Sequence, residues 1–329
     1  MESVELEHTR DHLEHDARVT DLAVAFLQEK ARPAGGERPW LLYVGLIHPH
    51  FPLIAPREYI ERYDPASIPL PAAWDEPLER QHPVIQRVRW AIHNEATLPA
   101  ETVRQAIACY WALVTLVDER IGRIVDALDR TGLSEHTVVL YTSDHGEMAG
   151  YHGMWQKHCF YEPAVRVPLV VRLPDVVARR AGISQPARVP ENVSLVDVLP
   201  ALLELAAAPP EPGLPGQSLL QAARAAVRGE AGRRVVLAEY HAAGMASAGY
   251  MLKRVALKYC HYTGERPQLF DLAHDPDELH DLVGEAAYAQ TLAEMEAALR
   301  QVVDPEAVDA LAKVDQARRR AAAGAQSDA

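Results

Sequence analysis

Cysteine is scarce in this 329-residue chain. Cys109, Cys159 and Cys260 are too few and too scattered for a disulfide framework or a CxxC zinc site, which points to a reducing compartment. No apolar run approaches the roughly 18 residues of a membrane-spanning helix. The opening stretch MESVELEHTRDHLEHDARVTD is acidic and His-rich and has no apolar centre, so no secretory signal is expected and the expected location is cytoplasmic. Basic charge is also in deficit. Lys and Arg total 33 against 46 Asp and Glu, a net charge of −13. That balance repels phosphate backbones, so neither a general nucleic-acid partner nor an anionic membrane is expected. Internal repeats are absent. What is present, 48% hydrophobic and 24% charged residues, is the composition of a folded globular protein with a sizeable core.

The pattern along the chain alternates helix and strand. Apolar residues from Val19 to Leu27 predict an amphipathic helix over 16–31, and the breaker run PAGGERP follows at 33–39. Trp40 to Ile47 is continuously apolar, as expected of a strand covered on both faces in a parallel sheet, and it ends at His48-Pro49-His50-Phe51-Pro52. Residues 52–99 are rich in proline, aromatics and charge and read as a long irregular excursion. Apolar positions from Val103 to Leu128 recur at three and four and predict the clearest helix, with Gly132 just beyond it. Thr137 to Thr142 then reads as a buried strand ending in Ser143-Asp144-His145-Gly146. Val165 to Leu173 is a further strand candidate in which Pro168 argues against a central place. A helix over 194–208 kinked at Pro200, a linker over 209–216, and short antiparallel strands near 235–238, 250–255 and 257–262 follow. A helix over 288–302 closes the last unit, and the tail from Arg318 to Ala329 is expected to fray.

Ligands in open α/β sheets bind beyond the carboxyl ends of strands, and two such ends here carry chemistry. His48 and His50 follow one strand, and Asp144 and His145 follow another. A carboxylate beside an imidazole suits a divalent cation. Taken singly, each histidine is more often structural; the clustering is what singles these out. Downstream, GEMAGYHGMWQK places three glycines ahead of Lys157, a point charge suited to an anion, although composition alone favours an ordinary loop with a solvated lysine. Glu162, Arg166 and Pro168 read as scaffold.

From about Asp16 to Leu282 the chain resembles the sulfatase family of the alkaline-phosphatase superfamily, in its choline-sulfatase and phosphonate-monoester-hydrolase-like branch. The resemblance rests on His-Pro-His-Phe-Pro at 48–52, on the long helix leading through Gly132 to TVVLYTSDHGEMAGYHG, on Trp-Gln-Lys157 with Tyr161-Glu162 running into RVPLVV, and on PQLFDLAHDPDE at 267–278. It implies an α/β fold: a partial alkaline-phosphatase-like sheet between helices over 1–230, a small C-terminal α+β subdomain over 231–303 and a helical or frayed tail over 304–329. It further implies Asp144 and His145 as metal ligands, with Ca2+ expected and Mn2+ or Mg2+ as alternatives. Lys157 would hold the ester oxygens, His50 would assist the leaving group, and His48 and His152 would be further substrate-binding groups.

Family members also carry an Asp-Asp metal pair, a Cys/Ser-x-Pro-x-Arg segment whose Cys or Ser becomes the formylglycine nucleophile, and a Gly-Lys-Trp-His-like segment. None occurs here: Cys109 precedes Tyr-Trp, Cys159 precedes Phe-Tyr and Cys260 precedes His-Tyr. The expectation is therefore an incomplete chain, a fragment or split-gene product, that hydrolyses sulfate esters weakly by itself. The alternatives are a phosphonate or phosphate ester hydrolase of the same superfamily, or a catalytically dead binding protein. The expected partner is a small anionic ester, with homo-oligomerisation or association through an exposed sheet edge.

Overall fold

The computed structural model describes residues 2–31, 39–183, 185–230, 234–241 and 245–327. The breaker run at 33–39 lies almost wholly outside the described residues, as do the expected boundary at 231 and the last two residues of the tail.

Two long helices form the first layer. Helix α1 (Glu2–Lys30) begins well before the expected residue 16, and α4 (Ala100–Arg130) follows the short α2 (Arg57–Ile60) and α3 (Pro83–Ala91). Asp16, Thr20, Ala23 and Leu27 recur at three and four along α1, so one stripe is buried. Leu27 packs on Ala127 and Leu128 of α4, with Trp40 and Leu42 alongside. Gly132, at φ +73°, turns the chain after α4, a left-handed conformation that glycine adopts at little cost.

The apolar run at 40–47 joins no ladder among the described residues. Its side chains alternate instead: Trp40 and Leu42 pack inward, while Leu41 and Tyr43 are 70% and 85% exposed. The run therefore corrects the expectation of a strand covered on both faces. Strand β1 (Val139–Thr142) pairs antiparallel, not parallel, with β2 (Leu169–Arg172), Val139 opposite Arg172 and Thr142 opposite Leu169. Pro168 ends up just outside β2, where its missing N–H costs no ladder bond. Between the strands lie the site loop and the short α5 (Glu162–Val165). After α6 (Asp175–Arg180), a 3₁₀ turn at Leu195–Asp197 leads into α7 (Val198–Leu205). Pro200 therefore falls in the first turn of α7, where a proline needs no kink.

Helix α8 (Leu219–Val227) precedes an antiparallel meander of β3 (Val235–Tyr240), β4 (Gly249–Arg254), β5 (Leu257–Tyr262) and β6 (Gln268–Asp271) in sequence order. Period-2 alternation gives this sheet two apolar faces. Met251, Cys260, Tyr262 and Phe270 pack on Val84, Ile85 and Val88 of α3 and on Met148, Met154, Phe160 and Tyr161 around the site loop. Tyr250, Leu252, Tyr259 and Leu269 pack on Met295 and Leu299 of α9 (Ala289–Val302). Each fully buried side chain of this size contributes about 1.5–3 kcal/mol. The tail is helical rather than frayed: α10 (Pro305–Ser327) continues through Arg319, which pairs with Asp315.

Candidate active site

The turn after residue 47 is held from behind. Asp16 on α1 is fully buried; its Oδ1 accepts the Ile47 N–H at 2.8 Å, and its Oδ2 accepts the His48 N–H at 3.0 Å and the His48 Nδ1–H at 2.7 Å. Arg120 of α4 lies 3.1 Å from the same oxygen. The His50 N–H donates to the Ile47 carbonyl at 3.1 Å, which closes the turn. The His50 ring then donates through Nδ1 to the Phe51 carbonyl at 2.9 Å, so Nε2 carries the free lone pair. Lys157 Nζ donates to that Nε2 at 2.6 Å and sits 5.3 Å from the centre of the Phe51 ring.

Lys157 comes from the loop that β1 feeds. Ser143 donates to the His145 carbonyl at 2.8 Å, and Asp144 Oδ1 accepts the His145 N–H at 3.0 Å. The His145 Nδ1–H goes to the Gly146 carbonyl at 2.8 Å, and its ring centre lies 5.8 Å from that of His50. Gly146 is required here, because a Cβ would sit 2.0 Å from the Pro163 carbonyl oxygen. Glu147 closes the loop by accepting the Ala149 N–H at 3.1 Å and the Gln156 N–H at 2.5 Å with one oxygen. His158, next to Lys157, bonds the Tyr240 hydroxyl at 2.6 Å and Gln156 Oε1 at 3.0 Å.

The electrostatics suit an anion. Burial holds His50 below its ordinary value, helped by the charges of Lys157 and His145 and opposed by the Phe51 carbonyl. Burial also lowers Lys157, against the pull of Asp144 and Glu147. Glu147 is raised by burial in spite of its two backbone donors. His158 is lowered by burial, then by Lys157 and His145. A half-buried ammonium gains when a negative charge replaces water beside it.

The structure thus brings His50, Lys157, His145 and Asp144 to one place. The bonds of His48 and His152 run elsewhere. His48 is buried against Asp16, and His152 stacks on Tyr161 at 4.2 Å, with Nδ1 on Glu76 at 3.1 Å and Nε2 on the Asp277 carbonyl at 3.0 Å. Glu162 is scaffold: it pairs with Lys258 at 2.7 Å and Lys253 at 2.9 Å, while Arg166 is exposed. Sequence reasoning missed Asp16, Glu147 and the His158–Tyr240 pair. The partners of Asp16 and His158 are remote in sequence, and Glu147 bonds the amides of its own loop, a local contact that residue type and spacing did not reveal.

A divalent cation has too few ligands here. Asp144 and His145 offer one exposed carboxylate and one imidazole, Oδ2 to Nε2 3.6 Å apart. Among the described residues no group of three or more His, Cys, Asp or Glu is arranged to hold an ion. Calcium takes roughly six to eight oxygens, so these residues do not form a complete site and no step below runs through a metal.

A family model described as Sulfatase matches residues 3–208. The chain belongs to the sulfatase family. A second model, N-sulphoglucosamine sulphohydrolase C-terminal, matches residues 150–304. The chain is 32% identical to a choline-sulfatase of Rhizobium meliloti over 94% of its own length and 60% of the relative's. It is 31% identical to arylsulfatase K of Bos taurus, covering 90% of itself and 56% of that protein. Among solved structures it is similar to a phosphonate monoester hydrolase of Agrobacterium radiobacter, with a TM-score of 0.71, 25% identity, and 86% and 60% of the two chains covered. The fold is accordingly α/β and alkaline-phosphatase-like, bearing small antiparallel sheets. Sulfatase relatives are generally metal-dependent. The chain spans 56% to 60% of the length of these two relatives.

Proposed function

We propose that this chain carries the anion-binding and leaving-group side of a sulfuric ester hydrolase site, acting on the sulfate monoester of a small alcohol. The observation that carries this reading is the 2.6 Å contact of Lys157 Nζ with His50 Nε2, beside His145. Lys157, partly buried, turns its N–H groups onto the sulfuryl oxygens and stabilises their charge. His50, its Nδ1–H fixed on Phe51, presents Nε2 toward the ester; that nitrogen takes up a proton from solvent and then passes it to the departing alcohol oxygen, returning to the neutral ring. Asp144 and His145 would supply two of the ligands of a divalent ion, Ca2+ before Mn2+ or Mg2+, which needs further donors to be held. The match to choline-sulfatase supports the sulfate class, and the structural similarity to a phosphonate monoester hydrolase supports a phosphonate ester as the second reading.

No thiol here is activated. Burial pushes Cys159 up to about 12 and raises Cys109 and Cys260 as well, so none is a ready nucleophile. Turnover by this chain alone is therefore slow, and binding is the sharper test. Calorimetric titration with sodium sulfate should show saturable binding that Lys157→Ala weakens at least about tenfold, the scale of one charged hydrogen bond. Equal affinity in Lys157→Ala and wild type overturns the reading. Competition by choline sulfate against a phenyl phosphonate monoester separates the two ester classes. Calcium titration against Asp144→Ala tests the ion.

A further inference from the structure

We propose that Asp16 is the positioning residue for His50, holding that imidazole against Lys157 through the backbone of residues 47 and 48 and the ring of His48. The inference rests on the anion-site reading above. Asp16 has no exposed surface, and both its oxygens are engaged. Oδ1 takes the Ile47 N–H at 2.8 Å, Oδ2 takes the His48 N–H at 3.0 Å and His48 Nδ1 at 2.7 Å, and Arg120 closes from α4 at 3.1 Å while donating to the Leu13 carbonyl at 2.9 Å. A buried carboxylate persists only when donors surround it, and here three of the four contacts come from a single turn. Holding α1 on α4 needs no such device, because Ala23 and Leu27 on the same stripe already bury apolar surface.

What Asp16 adds is a grip on two successive amides. With Ile47 and His48 pinned, the Ile47 carbonyl is fixed, and it receives the His50 N–H at 3.1 Å. His50 then has its backbone set by the turn, its Nδ1 set by Phe51, and its Nε2 aimed at Lys157. The buried acid thus acts from outside the site on the direction of one lone pair, where small misplacements are costly to function.

The test uses the full chain, with Asp16→Asn keeping the size and removing the charge. Two readouts are taken: nitrogen NMR of the His50 ring, which reports its contact with Lys157 without ligand, and affinity for sodium sulfate. The expected result is shifted His50 ring signals and about five- to tenfold weaker sulfate binding. In a His50→Gln background the same substitution should change sulfate affinity by less than about twofold, because its route of action is gone. An equal loss in both backgrounds, or unchanged His50 signals in folded Asp16→Asn, overturns the proposal. If Asp16→Asn does not fold, His48→Gln, which leaves Arg120 and both backbone bonds to Asp16, is judged by the same two criteria. A wild-type chain with the His50–Lys157 signature but no sulfate affinity overturns the anion reading alone, and the ring signals then decide the part of Asp16.

Discussion

Lys258→Met should be among the most damaging single changes in this protein, although it lies outside the site. Lys258 on β5 is fully buried, and its Nζ donates to the Phe160 carbonyl at 2.8 Å and to Glu278 at 2.8 Å, with Glu162 at 2.7 Å. Glu278 also accepts the Glu162 N–H at 2.6 Å, so one ammonium ties the sheet to the segment that follows Lys157. Burial works against the Lys258 charge, but Glu278 and Glu162 outweigh it and raise its pKa; Glu162 is lowered although burial opposes that. Methionine fills the volume and leaves the buried Phe160 carbonyl and the Glu278 carboxylate without their cation, while Glu162 keeps Lys253. Breaking a buried pair costs about 3–5 kcal/mol, so a loss of about 4 kcal/mol is expected, read as a lower urea midpoint at unchanged slope. Lys253→Met is the control: Lys253 is partly exposed and Glu162 keeps Lys258, so about 1 kcal/mol or less is expected. Adding Glu278→Gln to Lys258→Met should recover part of the loss, since one uncompensated charge goes. Equal, small losses for both lysines, or no recovery in the double variant, would refute the reasoning. The sign with pH follows from the shifts. Lys258 stabilises fully below its unfolded value and loses that contribution as pH rises through its raised folded value; Glu162 stabilises above its unfolded value of 4.5 and loses that as pH falls through its lowered one.

Two further substitutions probe the loop that presents Lys157. Glu147→Ala strips the Ala149 and Gln156 amides of their acceptor and should cost about 2 kcal/mol and weaken sulfate binding, whereas Glu147→Gln keeps the acceptor. Burial raises the Glu147 carboxyl, so the native state holds its proton more tightly than the unfolded chain; its contribution falls as pH climbs from 4.5 to its raised folded value, and Glu147→Gln should gain on wild type across that window in denaturation midpoints. A pH-independent gap between the two proteins would contradict that burial effect. Gly146→Ala drives a Cβ to within 2.0 Å of a backbone carbonyl that cannot swing aside, and should cost about 1–3 kcal/mol while displacing His145. A thermal midpoint equal to wild type would mean the Pro163 backbone yields freely.

Local periodicity and residue chemistry made much of this protein readable from its sequence alone. The three-and-four spacing from Val103 to Leu128 needs no partner to be recognised, and α4 spans it. His48, His50, Asp144 and His145 stood out because they cluster after two apolar runs, whereas Lys157 was picked out only by the family resemblance. Periodicity could not say whether 40–47 finds a ladder: an apolar run is compatible with a strand, but a strand exists only through a neighbour. Nor could it separate His50 from His48, two residues apart in one motif. Tertiary structure decided that, because α1 brings a buried carboxylate under His48 and leaves His50 to meet a lysine 107 residues away. Long-range pairing depends on where the chain returns in space, and a one-dimensional pattern carries residue type and spacing but not that return.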